Sequence, residues 1–248
     1  MQAIVDQLAV NYELTGKGKV VLLLHGWGDN HQTFSSLVSL LSSNFQLLAP
    51  DLPGFGASQA PKEPWNLDNY SKLVADLMAK LELKPYAIIG HSNGGALAMR
   101  GLSHGDFDSE KLILLASAGV RNSQPAKRFL TKVIAKVGKV ATIGLPKEAR
   151  NRLRVKLYGS IGSDLLVRPE LSETFKLSVR QDVQADAAKL KLPTLIINSD
   201  QDPAIPLKDA KLFNELIKGS KLEVIKGKSH FVHQEYADQV NQLISNFL

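Results

Sequence analysis

The chain contains no cysteine in its 248 residues. Disulfides and thiolate metal sites are thereby excluded, and the redox compartment is left open. No apolar run approaches the roughly 20 residues needed to span a bilayer. The opening residues, Met1-Gln2-Ala3-Ile4-Val5-Asp6, lack the basic start and long apolar stretch of a secretory signal. A soluble, cytoplasmic protein with no membrane span is therefore expected. Internal repeats, low-complexity tracts and long linkers are also missing. Hydrophobic residues make up 44% and charged residues 22% of the chain. Both are near globular averages and provide for a sizeable core.

Short apolar runs recur at Val20–Leu24, Phe45–Ala49, Tyr86–Ile89, Leu112–Ala116 and Thr194–Asn198. Runs of this kind suit strands buried on both faces of a parallel sheet. Patterns close to a 3.6-residue period lie between several of them, as in Phe34, Leu37, Val38 and Leu41, and in Leu67, Leu73, Val74, Leu77, Met78 and Leu81. Alternating strand and helix implies an α/β fold with a mostly parallel sheet. Antiparallel pairing is expected only near the start, between Ile4–Leu8 and Val10–Leu14. From about Arg121 to Leu190 the strand signal stops. Helical patterns take over at Lys127–Ala141, Lys147–Tyr158 and Pro169–Ala188. Strand and helix resume with Leu207–Lys218, Lys221–Ile225 and His233–Phe247. The expected organisation is a core of residues 1–120 and 190–248 carrying a helical cap, 121–189, over the carboxyl edge of the sheet, where open α/β sheets bind ligands.

One strand runs into Gly90-His91-Ser92-Asn93-Gly94 and then into the helix-forming Gly95-Ala96-Leu97-Ala98-Met99-Arg100. A Gly-x-Ser-x-Gly between strand and helix is the setting of an exposed nucleophile. Ser92 would sit at the carboxyl edge of the sheet, beside a helix N-terminus that favours developing negative charge. Such a serine needs two donors for an oxyanion. The N–H of Asn93 offers one, and the loop Leu24-His25-Gly26-Trp27-Gly28-Asp29 offers the other, best from Trp27. His25 is expected to brace that loop. The Trp27 side chain fits either an acyl pocket or the core. In Asp51-Leu52-Pro53-Gly54-Phe55-Gly56, Asp51 is expected to be a structural loop carboxylate.

Serine also needs a base, and histidine suits both taking and returning the proton. Of His25, His31, His91, His104, His230 and His233, only His230 lies in a loop, Gly227-Lys228-Ser229-His230-Phe231, that follows the last strand. His233, opening the terminal helix, is expected to be non-catalytic. The His230-x-x-His233 spacing lacks the third ligand a metal site would need. The orienting carboxylate should also follow a strand. After Thr194–Asn198 both Asp200 and Asp202 qualify, and spacing does not choose between them. The order Ser, acid, His is that of the α/β-hydrolase series.

Taken together, Leu-His-Gly-Trp-Gly at 24–28, Asp-Leu-Pro-Gly-Phe-Gly at 51–56, Gly-His-Ser-Asn-Gly-Gly at 90–95, Asp-Pro at 202–203 and Gly-Lys-Ser-His-Phe at 227–231 resemble the α/β-hydrolase fold superfamily. The resemblance covers nearly all of the chain outside the expected cap. It implies an eight-stranded, mostly parallel sheet flanked by helices, with a variable helical cap between the sixth and seventh strands. It implies Ser92, Asp202 and His230 as catalytic residues, since the family's acid usually precedes proline. It implies no cofactor or metal. A carboxylesterase-like serine hydrolase of small-molecule esters is expected. The rival readings are a carbon–carbon bond hydrolase or lyase on the same residues, and a ligand-binding member with little turnover. Asn93 departs from the apolar residue common after the nucleophile. Ser92 argues against the dehalogenase and epoxide hydrolase subfamilies, which use Asp there. The loop after Gly26 lacks the Gly-Pro-Gly run common in hydrolases of ring-cleavage products.

Net charge is +6, and its distribution is uneven. Between Arg121 and Ser160, eleven Lys or Arg face one acid, Glu148, a local +10 that leaves −4 for the remainder. The simplest reading is the solvated outer face of an amphipathic cap helix. The alternatives are an acidic protein partner, an anionic substrate or a membrane surface. An acyl carrier protein is one such partner, because the Trp27 and Asp51–Gly56 segments look like those of pimeloyl-acyl-carrier-protein methyl ester esterases. Nucleic acid is disfavoured, since the patch lacks interleaved aromatics for stacking.

Overall fold

A computed structural model describes residues 1–121, 169–178 and 180–248. The chain starts with a hairpin, β1 (Gln2–Val5) and β2 (Leu8–Gly16). Its two-residue turn, Asp6-Gln7, has φ of 46° and 64°, the left-handed pair whose twist matches that of the flanking strands. Six further strands follow: β3 (Lys19–Leu24), β4 (Phe45–Pro50), β5 (Pro85–His91), β6 (Lys111–Leu115), β7 (Thr194–Ser199) and β8 (Lys221–Ile225). They form one eight-stranded sheet in the order β1-β2-β4-β3-β5-β6-β7-β8. Only the pairings made by β2 are antiparallel: the expected one with β1, and a second, with β4, that the sequence reading did not anticipate.

The continuous apolar runs exist because both faces of the sheet are covered. Alternate residues of each run go to opposite cores. Leu22, Leu24, Leu48, Ile88, Leu112, Leu114 and Ile196 share a core with Leu73, Val74 and Leu77 of α2 (Leu67–Lys80) and Leu97 and Met99 of α3 (Asn93–His104). Val21, Leu23, Leu47, Ile89, Ile113, Leu115 and Ile197 face the other way. They pack on Leu37 and Leu41 of α1 (Ser35–Leu41) and on Val240 and Ile244 near the carboxyl end. Each such side chain, fully buried, contributes about 1.5–3 kcal/mol. A reciprocal cap starts α2, where the Asn66 side chain accepts from the Asn69 N–H and the Asn69 side chain accepts from the Asn66 N–H.

Two of the expected helices are divided. The pattern over Pro169–Ala188 becomes a 3₁₀ turn, Pro169–Leu171, then α4 (Ser172–Ser178) and α5 (Gln184–Ala187). The break is held by Asp182, whose carboxylate accepts from the Arg121 and Gln184 N–H groups at 2.9 Å each. The Val183 N–H donates to the Gly119 carbonyl at 2.9 Å. These bonds tie the chain at 182–183 to the segment that leaves β6. After α6 (Leu207–Leu216), the terminal pattern divides at Tyr236 into α7 (Val232–Glu235) and α8 (Ala237–Phe247), because Tyr236 leaves helical geometry at φ −123° and ψ 40°. The expected helices Lys127–Ala141 and Lys147–Tyr158, and with them nearly all of the basic segment, lie outside the described residues. No described helix is long and apolar enough to cross a membrane.

β3 pairs with β4 on one side and β5 on the other. The chain's lateral direction therefore reverses beside β3, and the carboxyl ends of β3 and β5 form the kind of switch point where open α/β sheets bind ligands. The register Leu24↔Gly90 brings the loop that starts at His25 next to His91 and Ser92.

Candidate active site

Ser92 occupies the single residue between β5 and α3, with φ 51° and ψ −117°. A non-glycine residue held there costs on the order of 1–3 kcal/mol and persists only when its surroundings fix it. They do so on both sides. The Ser92 N–H donates to the Leu115 carbonyl at 2.9 Å, and the Ser92 carbonyl accepts from the Ala118 and Gly95 N–H groups at 3.0 Å each. The turn is also tight. A Cβ on Gly94 would lie 2.0 Å from the Leu24 carbonyl oxygen, so only glycine lets the first turn of α3 rest on the end of β3.

His230 follows β8 and reaches Ser92 across 138 residues of sequence, with Nε2 3.0 Å from the Ser92 Oγ. Its Nδ1 lies 2.9 Å from Oδ2 of Asp202. A carboxylate only accepts, so the proton between them sits on Nδ1 and Nε2 is left as the acceptor for the serine hydroxyl. The other oxygen of Asp202, Oδ1, accepts from the Ala204 and Ile205 N–H groups at 2.7 and 2.8 Å. That side chain is fully buried. Asp200 goes elsewhere: it is exposed, and its Oδ1 accepts from the Gly227 N–H at 2.9 Å, clamping the loop that carries His230. Two competing acids thus take different partners, and only Asp202 meets the imidazole.

The remaining side chains of the region brace it. His25 is fully buried between two loops. Its Nε2 accepts from the Leu52 N–H at 2.9 Å, which leaves Nδ1 to donate to the Gly26 carbonyl at 2.7 Å. Burial lowers its pKa, outweighing the carbonyl that would raise it. Asp51 gathers the neighbouring loops, accepting from Asn11 Nδ2, the His31 N–H and the Ala57 N–H at 2.8–2.9 Å, and pairing with His31 Nδ1 at 2.7 Å. Burial pushes its carboxyl up, but the donors from Ala57, His31 and Asn11 more than offset this and hold it below its ordinary value. Both residues have the bracing place expected of them. His233 Nε2 sits against the Thr33 hydroxyl at 3.0 Å and not against Ser92.

Trp27 is half-buried at the turn of the loop after β3. Its indole meets Phe55 with ring centroids 4.9 Å apart and Phe175 of α4 at 5.0 Å. Neither the Trp27 nor the Asn93 N–H enters a hydrogen bond among the described residues. Sequence reasoning gave no particular role to His91. Its imidazole is buried beside His230 and its Nε2–H donates to the His230 carbonyl at 3.0 Å. The available signal was its place as the last residue of a strand, immediately before the turn.

The profile described as "Alpha/beta hydrolase family" matches residues 21–243, most of the chain. The chain belongs to the alpha/beta hydrolase family. This hydrolase-family chain is 29% identical to the AB hydrolase superfamily protein YisY of Bacillus subtilis over 98% of its own length and 96% of that protein's. Its fold is similar to that of a thermophilic esterase from Thermogutta terrifontis, with a TM-score of 0.76, 24% identity, and 99% and 96% of the two chains covered. It is also similar to a meta-cleavage product hydrolase from Pseudomonas fluorescens, with a TM-score of 0.75, 22% identity, and 100% and 96% covered. At these identities the two structures speak for the alpha/beta hydrolase fold alone.

Proposed function

We propose that the protein is a serine hydrolase of carboxylic esters, working by two-step acyl transfer. The reading rests on one observation: a continuous chain of hydrogen bonds from the Ser92 Oγ through both nitrogens of His230 to Asp202. Ser92 attacks the ester carbonyl carbon while Nε2 of His230 takes the hydroxyl proton. Asp202 keeps the tautomer and stabilises the imidazolium. The N–H groups of Trp27 and Asn93 stabilise the oxyanion, assisted by the N-terminus of α3. His230 then protonates the departing alcohol. Water repeats the steps in reverse, releasing the acid and restoring Ser92.

We place residues 121–189 over this site as a cap. The described part of that segment supports the placement. Phe175 packs on Trp27, the Leu171 side chain lies where a Cβ on Gly54 would be, and the Thr174 hydroxyl accepts from the Trp65 N–H at 3.1 Å. Carbon–carbon bond hydrolysis on the same residues is the less favoured reading, since the loop after Gly26 runs Trp27-Gly28-Asp29 without the Gly-Pro-Gly typical of such enzymes.

Fluorophosphonate labelling combined with turnover of short p-nitrophenyl esters tests the proposal. The wild-type protein should label at Ser92 and hydrolyse the esters, and Ser92→Ala should lose both. Labelling at a different serine in Ser92→Ala refutes the nucleophile. Labelling without turnover points to a ligand-binding protein instead.

A further inference from the structure

His91 adjoins the proposed nucleophile, the loop that carries Trp27 and the proposed base His230. It is joined covalently to Ser92. One side of its ring, Nδ1, lies 3.1 Å from where a Cβ on Gly26 would be, in the loop that carries Trp27. The other side, Nε2, is 3.0 Å from the main-chain carbonyl of His230. The ring packs on those of His230, Phe231 and His233 with centroids 4.9, 5.1 and 4.6 Å away. No other described side chain bonds the backbone of His230 at its own residue.

We propose that His91 is the positioning residue of the proposed base: its Nε2–H holds the His230 carbonyl and thereby sets the 3.0 Å separation of Nε2 from Ser92 Oγ. The loop before His230 is held by the Gly227 N–H on Asp200 and by Ser229 bonded to the Ser199 hydroxyl, but neither bond reaches the backbone of residue 230 itself. The carboxylate of Asp202 fixes one end of the imidazole, and the carbonyl bond fixes the backbone from which it hangs. Among the described residues, the carbonyl bond is the side-chain contact that acts on the backbone at the residue bearing the imidazole. The direction of the bond also fixes the state of His91. A carbonyl can only accept, so Nε2 must carry the proton and the neutral ring must leave Nδ1 bare. Nδ1 is buried and without a hydrogen-bond partner among the described residues. Nothing there selects the opposite tautomer. Burial, with lesser contributions from His233 and His230, keeps His91 well below the ordinary histidine value. The ring therefore stays neutral beside His230 when that residue becomes an imidazolium during turnover.

This inference depends on the Ser92 reading, and its test is arranged to separate the two. His91→Phe keeps an aromatic ring but removes the donor. His91→Gln keeps an N–H donor the same number of bonds from Cβ as Nε2. With p-nitrophenyl butyrate, His91→Phe should lower kcat by roughly ten- to a hundredfold with KM little changed, the cost of a slightly misplaced catalytic group. His91→Gln should recover most of the loss. Wild-type activity in His91→Phe, a shift confined to KM, or equal loss in both variants would overturn the proposal. If His91→Phe does not fold, ¹⁵N NMR of the histidines in the wild-type protein decides. A neutral Nε2–H tautomer for His91 down to pH 5 supports it, and an Nδ1–H tautomer or a titration near pH 6.5 refutes it. Failure of the Ser92 reading would instead appear as unchanged labelling in Ser92→Ala, whatever His91 does.

Discussion

The two aspartates after β7 divide their work at the level of single oxygen atoms. Asp202 gives one oxygen to His230 and the other to two backbone N–H groups. Asp200 gives its oxygen to a loop amide. Asp202→Asn presents an amide that cannot hold the Nδ1–H tautomer, so ester turnover should fall by about 10³–10⁴-fold. Asp200→Asn should leave kcat within a few-fold. Steady-state kinetics on both variants checks the pair, and a loss confined to Asp200→Asn would reverse the assignment of the orienting acid. At this scale the chain order Ser, acid, His was readable, but the choice between two acids two residues apart was not. That choice depends on how Asp202-Pro203-Ala204-Ile205 turns its own amides onto one carboxylate, which residue spacing does not encode. His91 was harder still. Its partner is a main-chain carbonyl 139 residues away, and a backbone atom has no residue identity to search for.

The elements were largely legible where burial is complete. The runs that became β3 to β7 are apolar because both faces are covered, and their limits come within a few residues of those read from the sequence. One helix divided where tertiary bonds outweigh local period, at Asp182, and the other where Tyr236 leaves helical geometry. Between β5 and α3 the fold depends on backbone closeness. Gly94→Ala would put a methyl carbon 2.0 Å from the Leu24 carbonyl oxygen, and that oxygen belongs to a central strand that cannot retreat. α3 must move instead and carry Ser92 with it. The expected result is a loss of about 1–3 kcal/mol in urea unfolding and a fall in turnover of about 10²-fold. Unchanged kinetics in a stable Gly94→Ala protein would show that the turn tolerates displacement.

Over the whole molecule, buried neutral histidines shape the dependence of stability on pH. Burial, followed by the charge of His230, lowers His233 to about 4 from an ordinary value of 6.5. Below pH 6.5 the unfolded chain takes up a proton that the folded protein refuses, so stability is full above that pH and declines as pH falls toward 4. For His233 the decline amounts to as much as ~3 kcal/mol, and His91, lowered in the same direction, adds to it. Urea unfolding of the wild type and His233→Gln at several pH values isolates the effect. The variant should show a shallower slope between pH 6.5 and 4, and an identical slope would mean that His233 titrates normally in the fold.

The bond between Gly119 and Val183, with that between Arg121 and Asp182, has an evolutionary corollary. The polypeptide is pinned where it leaves the sheet to where it returns, so changes in the length of what lies between need not be felt by the register of the eight strands. On the proposed reading of this segment as a cap, substitutions there would change which esters are accepted and leave Ser92, His230 and Asp202 in place.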